Sequence, residues 1–408
     1  MNKTIKDISL EIGSGITPLR SNELYWNSPD IPWIKTEQLG QYRIFDSMEY
    51  ISDFALEDTN IRLWSPHTVS VAMYGEGKTR GNVSILMIET TTNQACCNIK
   101  VNDALADYRF LYYWLKNNYE NLRALSAGVR KNLNADDIKN FPFSENSLSE
   151  QEKIADILSV VDDKIELNSK ICSELEAMAK TLYDYWFAQF DFPDENGEPY
   201  RTAGGEMVWN EQLKREIPKE WKVGNLYSVA DFINGLACQK FRPKDGEQTL
   251  PVIKIKEMHD GITAETEQVS ENIPSKHKIF DGDILFSWSA TLEVIYWYGG
   301  SGGLNQHIFK VNPKSYFPKE YVYEQLSSYI VNFVKMAEAR KTTMGHITTD
   351  HLEQSKIPLP PEFLIKQFKE KVYPIHLKIG QTKQENRELT KLRDWLLPML
   401  MNGQARVE

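Results

Sequence analysis

Ile31-Pro32-Trp33-Ile34-Lys35 returns 219 residues later as Leu250-Pro251-Val252-Ile253-Lys254. Working outward from that pair, other landmarks recur in the same order. Asn93-Gln94 followed by Lys100-Val101 becomes Asn305-Gln306 followed by Lys310-Val311. Arg130-Lys131, Asp136 and Pro142 become Arg340-Lys341, Asp350 and Pro358. A period of about 215 residues is too long for a solenoid repeat, so the 408-residue chain is a duplicated domain. Each half reads as an apolar-Pro strand, a Gly-rich loop, an Asn-Gln strand and a basic turn, which predicts two similar α/β domains in an α+β chain.

Each half then ends in a long helix. In the first, Ile154, Leu158, Val161, Ile165, Asn168, Cys172, Leu175, Ala179, Leu182 and Trp186 alternate at spacings of four and three, a coiled-coil seam. Ser149-x-x-Glu152 is a capping-box pattern at its start. The second helix repeats the seam 214 residues on, as Phe368, Val372, Ile375, Ile379, Thr382, Asn386, Leu389, Arg393, Leu396 and Leu400. Residues 149–187 carry net charge −5 and residues 361–403 carry +3, which favours mutual pairing. An antiparallel pair about a pseudo-two-fold would set Asn168 against Asn386, a buried amide pair that fixes register. Pro374 predicts a bend or a restart in the second helix. The alternative is that each seam docks only on its own globular domain. The expected division is a recognition domain over 1–148, a spacer helix over 149–190, a linker over 191–220, a second domain over 221–360 and a C-terminal spacer helix and tail over 361–408.

Of the net charge of −10, residues 149–187 and 191–220 carry −5 and −4. The outer regions are therefore near neutral and free to form local basic faces. Four Cys, with no C-x-x-C, exclude a disulfide framework and a zinc site. No apolar run is long enough to span a bilayer and no secretion signal is visible, so a cytoplasmic protein is expected.

In this order and with this duplication, several short motifs resemble the specificity (S) subunits of type I restriction-modification enzymes. They are Asp30-Ile-Pro-Trp-Ile-Lys35, Thr92-Asn-Gln-Ala-Cys96, Leu148-Ser-Glu-Gln-Glu-Lys-Ile154 and Phe192-Pro-Asp-Glu-Asn-Gly-Glu-Pro-Tyr200, continuing through Gly204-Gly-Glu-Met207 to Ile217-Pro-Lys-Glu-Trp221. The resemblance implies a non-catalytic DNA reader serving phage defence. Each recognition domain would read one half of a bipartite, asymmetric site in double-stranded DNA. The helices would set the spacing and recruit two methyltransferase subunits holding S-adenosylmethionine. Restriction subunits would add ATP- and Mg-dependent cleavage. One departure is visible: the second helix opens Pro360-Pro361-Glu362 through Gln367, without the Glu-Gln pair of the first.

Residues 72–79, A-M-Y-G-E-G-K-T, match a phosphate-loop pattern. The flanks, Thr68–Ala72 and Val83–Leu86, read as two strands, so the context is a hairpin rather than the strand-then-helix that holds a nucleotide. The preferred reading is a DNA-contacting loop, with Tyr74, Lys78, Thr79 and Arg80 as contacts and Trp288 and Ser289 at the equivalent place. Lys35, Thr36, Lys254 and Lys256 at the repeated strand end, and Arg130, Lys131, Arg340 and Lys341 in matched turns, are the candidate backbone clamps. Asn93-Gln94 and Asn305-Gln306 read as structural. No catalytic motif and no metal set is present. Two rival readings are a coiled-coil adaptor with two protein-binding domains, and a nucleotide hydrolase built on Gly77-Lys78-Thr79.

Overall fold

The structure, a computed structural model, describes residues 3–75, 79–126, 132–289, 291–339, 347 and 349–407. It divides into two compact units: Met1–Ile165 with Leu389–Glu408, and Glu166–Glu388. Both boundaries fall inside the long helices, Leu148–Tyr183 and Glu362–Met401, so each unit owns part of both.

In the first unit the main sheet runs Ser9–Ser14, Cys96–Val101, Thr68–Ala72, Val83–Leu86, all antiparallel. Beside it Ile31–Ile34 pairs antiparallel with Glu49–Ile51 and parallel with Thr91–Thr92. The second unit repeats the order: Ala230–Asn234, Ile308–Pro313, Ile284–Ser287, Glu293–Tyr296. Its Thr249–Ile253 pairs antiparallel with Gln268–Ser270 and parallel with Gly302–Leu304. The units differ at the margins. Arg43–Ile44 extends the main sheet of the first, parallel to Val83–Leu86. The helical layer is Tyr108–Asn117 and Tyr119–Ala124 in the first and one helix, Lys319–Ala339, in the second.

The duplication extends to single atoms. The Gly15 N–H donates to Cys96 O and the Gly235 N–H donates to Ile308 O, at 3.3 and 3.0 Å. A Cβ on Gly15 would stand 1.9 Å from Thr92 O, and one on Gly235 would stand 2.0 Å from Asn305 O. Both positions therefore need a residue without a side chain.

Each helix end is built into a core. Ile154, Ala155 and Leu158 pack with Leu397, Leu400, Met401 and the apolar face of Tyr108–Asn117 in the first unit. Tyr183, Trp186, Phe368 and Val372 join the core of the second. Pairing and docking thus coexist, where the sequence posed them as alternatives. Two expectations need correction. The second helix runs unbroken through Pro374. The capping box lies earlier than Ser149-x-x-Glu152: the Ser147 N–H donates to Glu150 Oε2 at 2.8 Å and the Glu150 N–H to Ser147 Oγ at 3.4 Å.

The 191–220 segment is packed rather than a free tether. Phe190, Phe192, Ile217 and Trp221 are buried in the second core, and Met207–Asn210 forms a hairpin with Arg215–Pro218.

Candidate functional site

A chain of backbone hydrogen bonds gathers the candidate loops in each unit. In the first, Asn93 N donates to Ile34 O at 2.9 Å, beside Lys35. Two residues on, Ala95 O accepts from Met73 N at 2.8 Å, and Met73 O accepts from Leu133 N at 3.0 Å. The strand end, the Asn-Gln turn, the hairpin loop and the exit of the basic turn are thereby fastened together. In the second, Asn305 N donates to Ile253 O at 3.1 Å, Trp288 N to His307 O at 3.4 Å, and Ile347 N to Trp288 O at 3.0 Å. The links correspond one to one.

The Asn-Gln pairs are structural, as expected. Asn93 Oδ1 accepts from Ala95 N at 3.1 Å and Asn305 Oδ1 from His307 N at 3.3 Å, closing the same short turn. The repeated lysines are staples: Lys100 Nζ donates to Pro66 O at 2.7 Å and Lys310 Nζ to Lys278 O at 3.1 Å.

The hairpin reading of residues 68–86 holds, since Val71 pairs back on Val83 and no helix follows the loop. Glu76, Gly77 and Lys78 lie outside the described residues. Tyr74 is exposed and Thr79 and Arg80 are half-buried. Gly75 has φ +138°, in the region that favours glycine. The base of the loop is braced by Arg123, which donates to Arg80 O at 3.0 Å and to Tyr119 OH at 2.6 Å. Arg123 ends in the same short helix that leads into the basic turn. Arg130, Lys131, Arg340 and Lys341 themselves lie outside the described residues.

Two of the strand-end cations, Lys35 and Lys254, are already engaged. Lys35 sits between Glu37 and Glu49, and Glu49 also binds Arg20 at 2.6 Å. These carboxylates, Glu37 first, hold the Lys35 ammonium above its ordinary pKa. Lys254 reaches Glu267 at 3.0 Å. Thr36 opens a short 3-10 turn, and Lys256 is exposed. Arg20, which sequence reasoning passed over, lies on the faces of Trp26 and Trp33, 3.7 and 4.7 Å from their centroids. In the second unit Trp288 packs on His307 and Phe309 and donates its indole N–H to Asn234 Oδ1 at 3.2 Å. Ser289 is buried. Among the described residues no group of His, Cys, Asp and Glu could hold a metal ion.

The seam residues turn inward. Ile154, Leu158, Asn168, Phe368, Val372 and Ile379 are buried, and Val161, Ile165, Leu175, Leu182, Asn386, Leu389 and Leu396 are half-buried. In the second unit Asn168 Nδ2 donates to Asn386 Oδ1 at 2.9 Å, Cys172 Sγ lies 3.9 Å from Ile379 O, and Tyr183 meets Phe368. Numbers rise on one helix as they fall on the other, so the pair is antiparallel and in the anticipated register. In the first unit Arg393 binds the buried Asp162 at 2.8 Å. Spacing alone could not name that partner.

Residues 1–177 and 218–367 match the family described as "Type I restriction modification DNA specificity domain". The chain is 27% identical to the type I restriction enzyme MjaIX specificity subunit of Methanocaldococcus jannaschii, over 100% of this chain and 93% of the relative. It is 26% identical to the HindI specificity subunit of Haemophilus influenzae, over 68% and 72%. In fold it resembles the crystal structure of a type I restriction-modification S subunit from M. genitalium, with TM-score 0.55, 18% identity and coverage of 98% and 96%.

Proposed function

This chain belongs to the type I restriction-modification DNA specificity family, and from that membership we propose how it works as the sequence-specificity subunit of such a system. Each unit reads one half of a two-part, asymmetric site in double-stranded DNA. The carrying observation is the duplicated chain of backbone bonds, which places the hairpin loop, the strand end and the base of the basic turn side by side in both units. The loops are presented on rigid sheets while their side chains stay free to differ, which suits a reader with two specificities. Arg130, Lys131, Arg340, Lys341 and Lys78 supply phosphate contacts; Tyr74, Thr79, Arg80 and Lys256 are the nearest described candidates for the groove.

The chain itself does no chemistry. Two methyltransferase subunits bring S-adenosylmethionine, and restriction subunits bring ATP and Mg; the assembly works in the cytoplasm. Both long helices support a docking role, because each carries a second apolar stripe facing solvent. On the first, Val160, Leu167, Met178 and Tyr185 are exposed, and on the second Phe363, Tyr373, Leu377, Leu392 and Trp395. Partner helices laid on those stripes would bury them.

The test is genome-wide adenine methylation in cells expressing this chain with its neighbouring subunits, against cells lacking it. A two-part motif that depends on the chain is expected, and swapping residues 1–148 for a relative's domain should change one half only. Methylation indifferent to the chain would sink the reading. Deleting two heptads from both helices should change the gap between half-sites and leave the half-sites intact.

A further inference from the structure

The 214-residue offset of the helices pairs Asp162 with His376 and Arg393 with Ala179. In the first unit Asp162 anchors a closed charged joint. The Tyr113 hydroxyl donates to its Oδ2 at 2.7 Å and Arg393 Nη1 donates to its Oδ1 at 2.8 Å. Tyr113 belongs to the recognition domain, and Asp162 and Arg393 to the two long helices. In the second unit His376 takes the place of Asp162 and faces Glu324, on the helix that corresponds to that of Tyr113. His376 Nε2 stands 3.8 Å from Glu324 Oε1, and both residues are about 95% buried. Ala179 brings no permanent cation, and among the described residues His376 Nε2 has no hydrogen-bond partner.

Charged groups of both signs surround the pair. Glu176, Lys180 and Asp184 act on Glu324 from the first long helix, and Lys383 acts on His376 from its own helix. Tyr296 and Tyr323 pack their rings on His376. Glu320 lies on the helix of Glu324, near Tyr296, and Glu293 acts on Tyr323. One proton between His376 and Glu324 keeps the pair neutral overall, on whichever atom it resides. Removing it leaves a buried anion, and adding a second leaves a buried cation.

We propose that His376 and Glu324 form a one-proton latch that holds the second recognition unit on its long helix, and that loss of the pair's single proton opens it. Burial pushes Glu324 up from 4.5 to about 8 and His376 down from 6.5 to about 4. The sign follows from the protons bound. Between 4.5 and 6.5 the folded and unfolded pair each hold one, and stability is level. Above 6.5 the unfolded pair holds none and the folded pair keeps one until about 8, so stability falls with rising pH.

The experiment is amide hydrogen exchange of the full-length chain, corrected for intrinsic rates, between pH 6.5 and 8. Opening of Lys319–Ala339 should rise about tenfold per pH unit, roughly 30-fold across the window, while Tyr108–Asn117 shows no rise, because burial holds its Lys116 down to about 8 and that shift works in the opposite direction at the top of the window. Glu324→Gln, which is neutral at every pH, should abolish the rise. Equal pH slopes for the two helices in the unsubstituted chain, or an unchanged slope in Glu324→Gln, overturns the proposal. The comparison of helices within the unsubstituted chain decides the matter even where the variant does not fold.

Discussion

In the first unit the hairpin loop leaves its strand through Met73, is braced from outside by Arg123, and ends on a glycine at φ +90°, Gly81. In the second unit the same place is taken by Trp288, whose ring folds inward on Phe309 while the next residue is buried. The backbone path is shared and the side-chain content is not. The difference teaches how a duplicated reader holds two specificities. What must be common is carried by N–H and C=O groups, which any residue supplies. What must differ is left to the loop tips. The joints divide the same way: an ion pair with a tyrosine in one unit, a single proton in the other.

The largest effect should break that comparison at the joints. Asp162→Ala leaves Arg393 without its buried partner and should cost about 3–5 kcal/mol by denaturant unfolding. His376→Ala at neutral pH removes no charge and should cost less; equal losses would mean the joints are equivalent after all. Next come the paired glycines. Gly15→Ala and Gly235→Ala each drive a Cβ into a backbone carbonyl and should cost about 1–3 kcal/mol, alike in the two units by thermal unfolding. A clear disparity would show that the shared scaffold is shared only in outline. Replacing Asn168 and Asn386 together by Leu should leave stability unchanged or raise it by up to about 2 kcal/mol, with register specificity lost by cysteine cross-linking across the seam. A loss of several kcal/mol would make the amide pair a source of stability rather than of register. The smallest effect belongs to the strand ends: Lys35→Ala and Lys254→Ala should each change stability by less than about 1 kcal/mol. A severe loss of DNA affinity in either would restore the clamp role that their carboxylate partners argue against.

The duplication, the seam and the facing of Asn168 on Asn386 were legible because period and spacing are written in residue order. The hairpin was legible for the same reason, since β-branched alternation after Gly81 cannot open a helix. The ion pair of Asp162 with Arg393 was not, because its partners lie 231 residues apart and either residue alone passes for a solvated charge. Gly15 and Gly235 were hidden because a glycine shows no pattern until the carbonyl beside it is placed. The 191–220 segment reads as a linker from its eight acidic residues. Its Phe192, stacked at 5.6 Å on Trp221 just beyond it, packs it on the second core.

The first unit closes on Leu389–Glu408, while the second is one continuous stretch, Glu166–Glu388. As the chain leaves the ribosome, the second unit has all its parts before the first does. The amino-terminal domain must then wait, its helix Tyr108–Asn117 lacking Leu397, Leu400 and Met401, until that later stretch is translated. A stalled or prematurely stopped chain would carry a finished second reader and an unfinished first one.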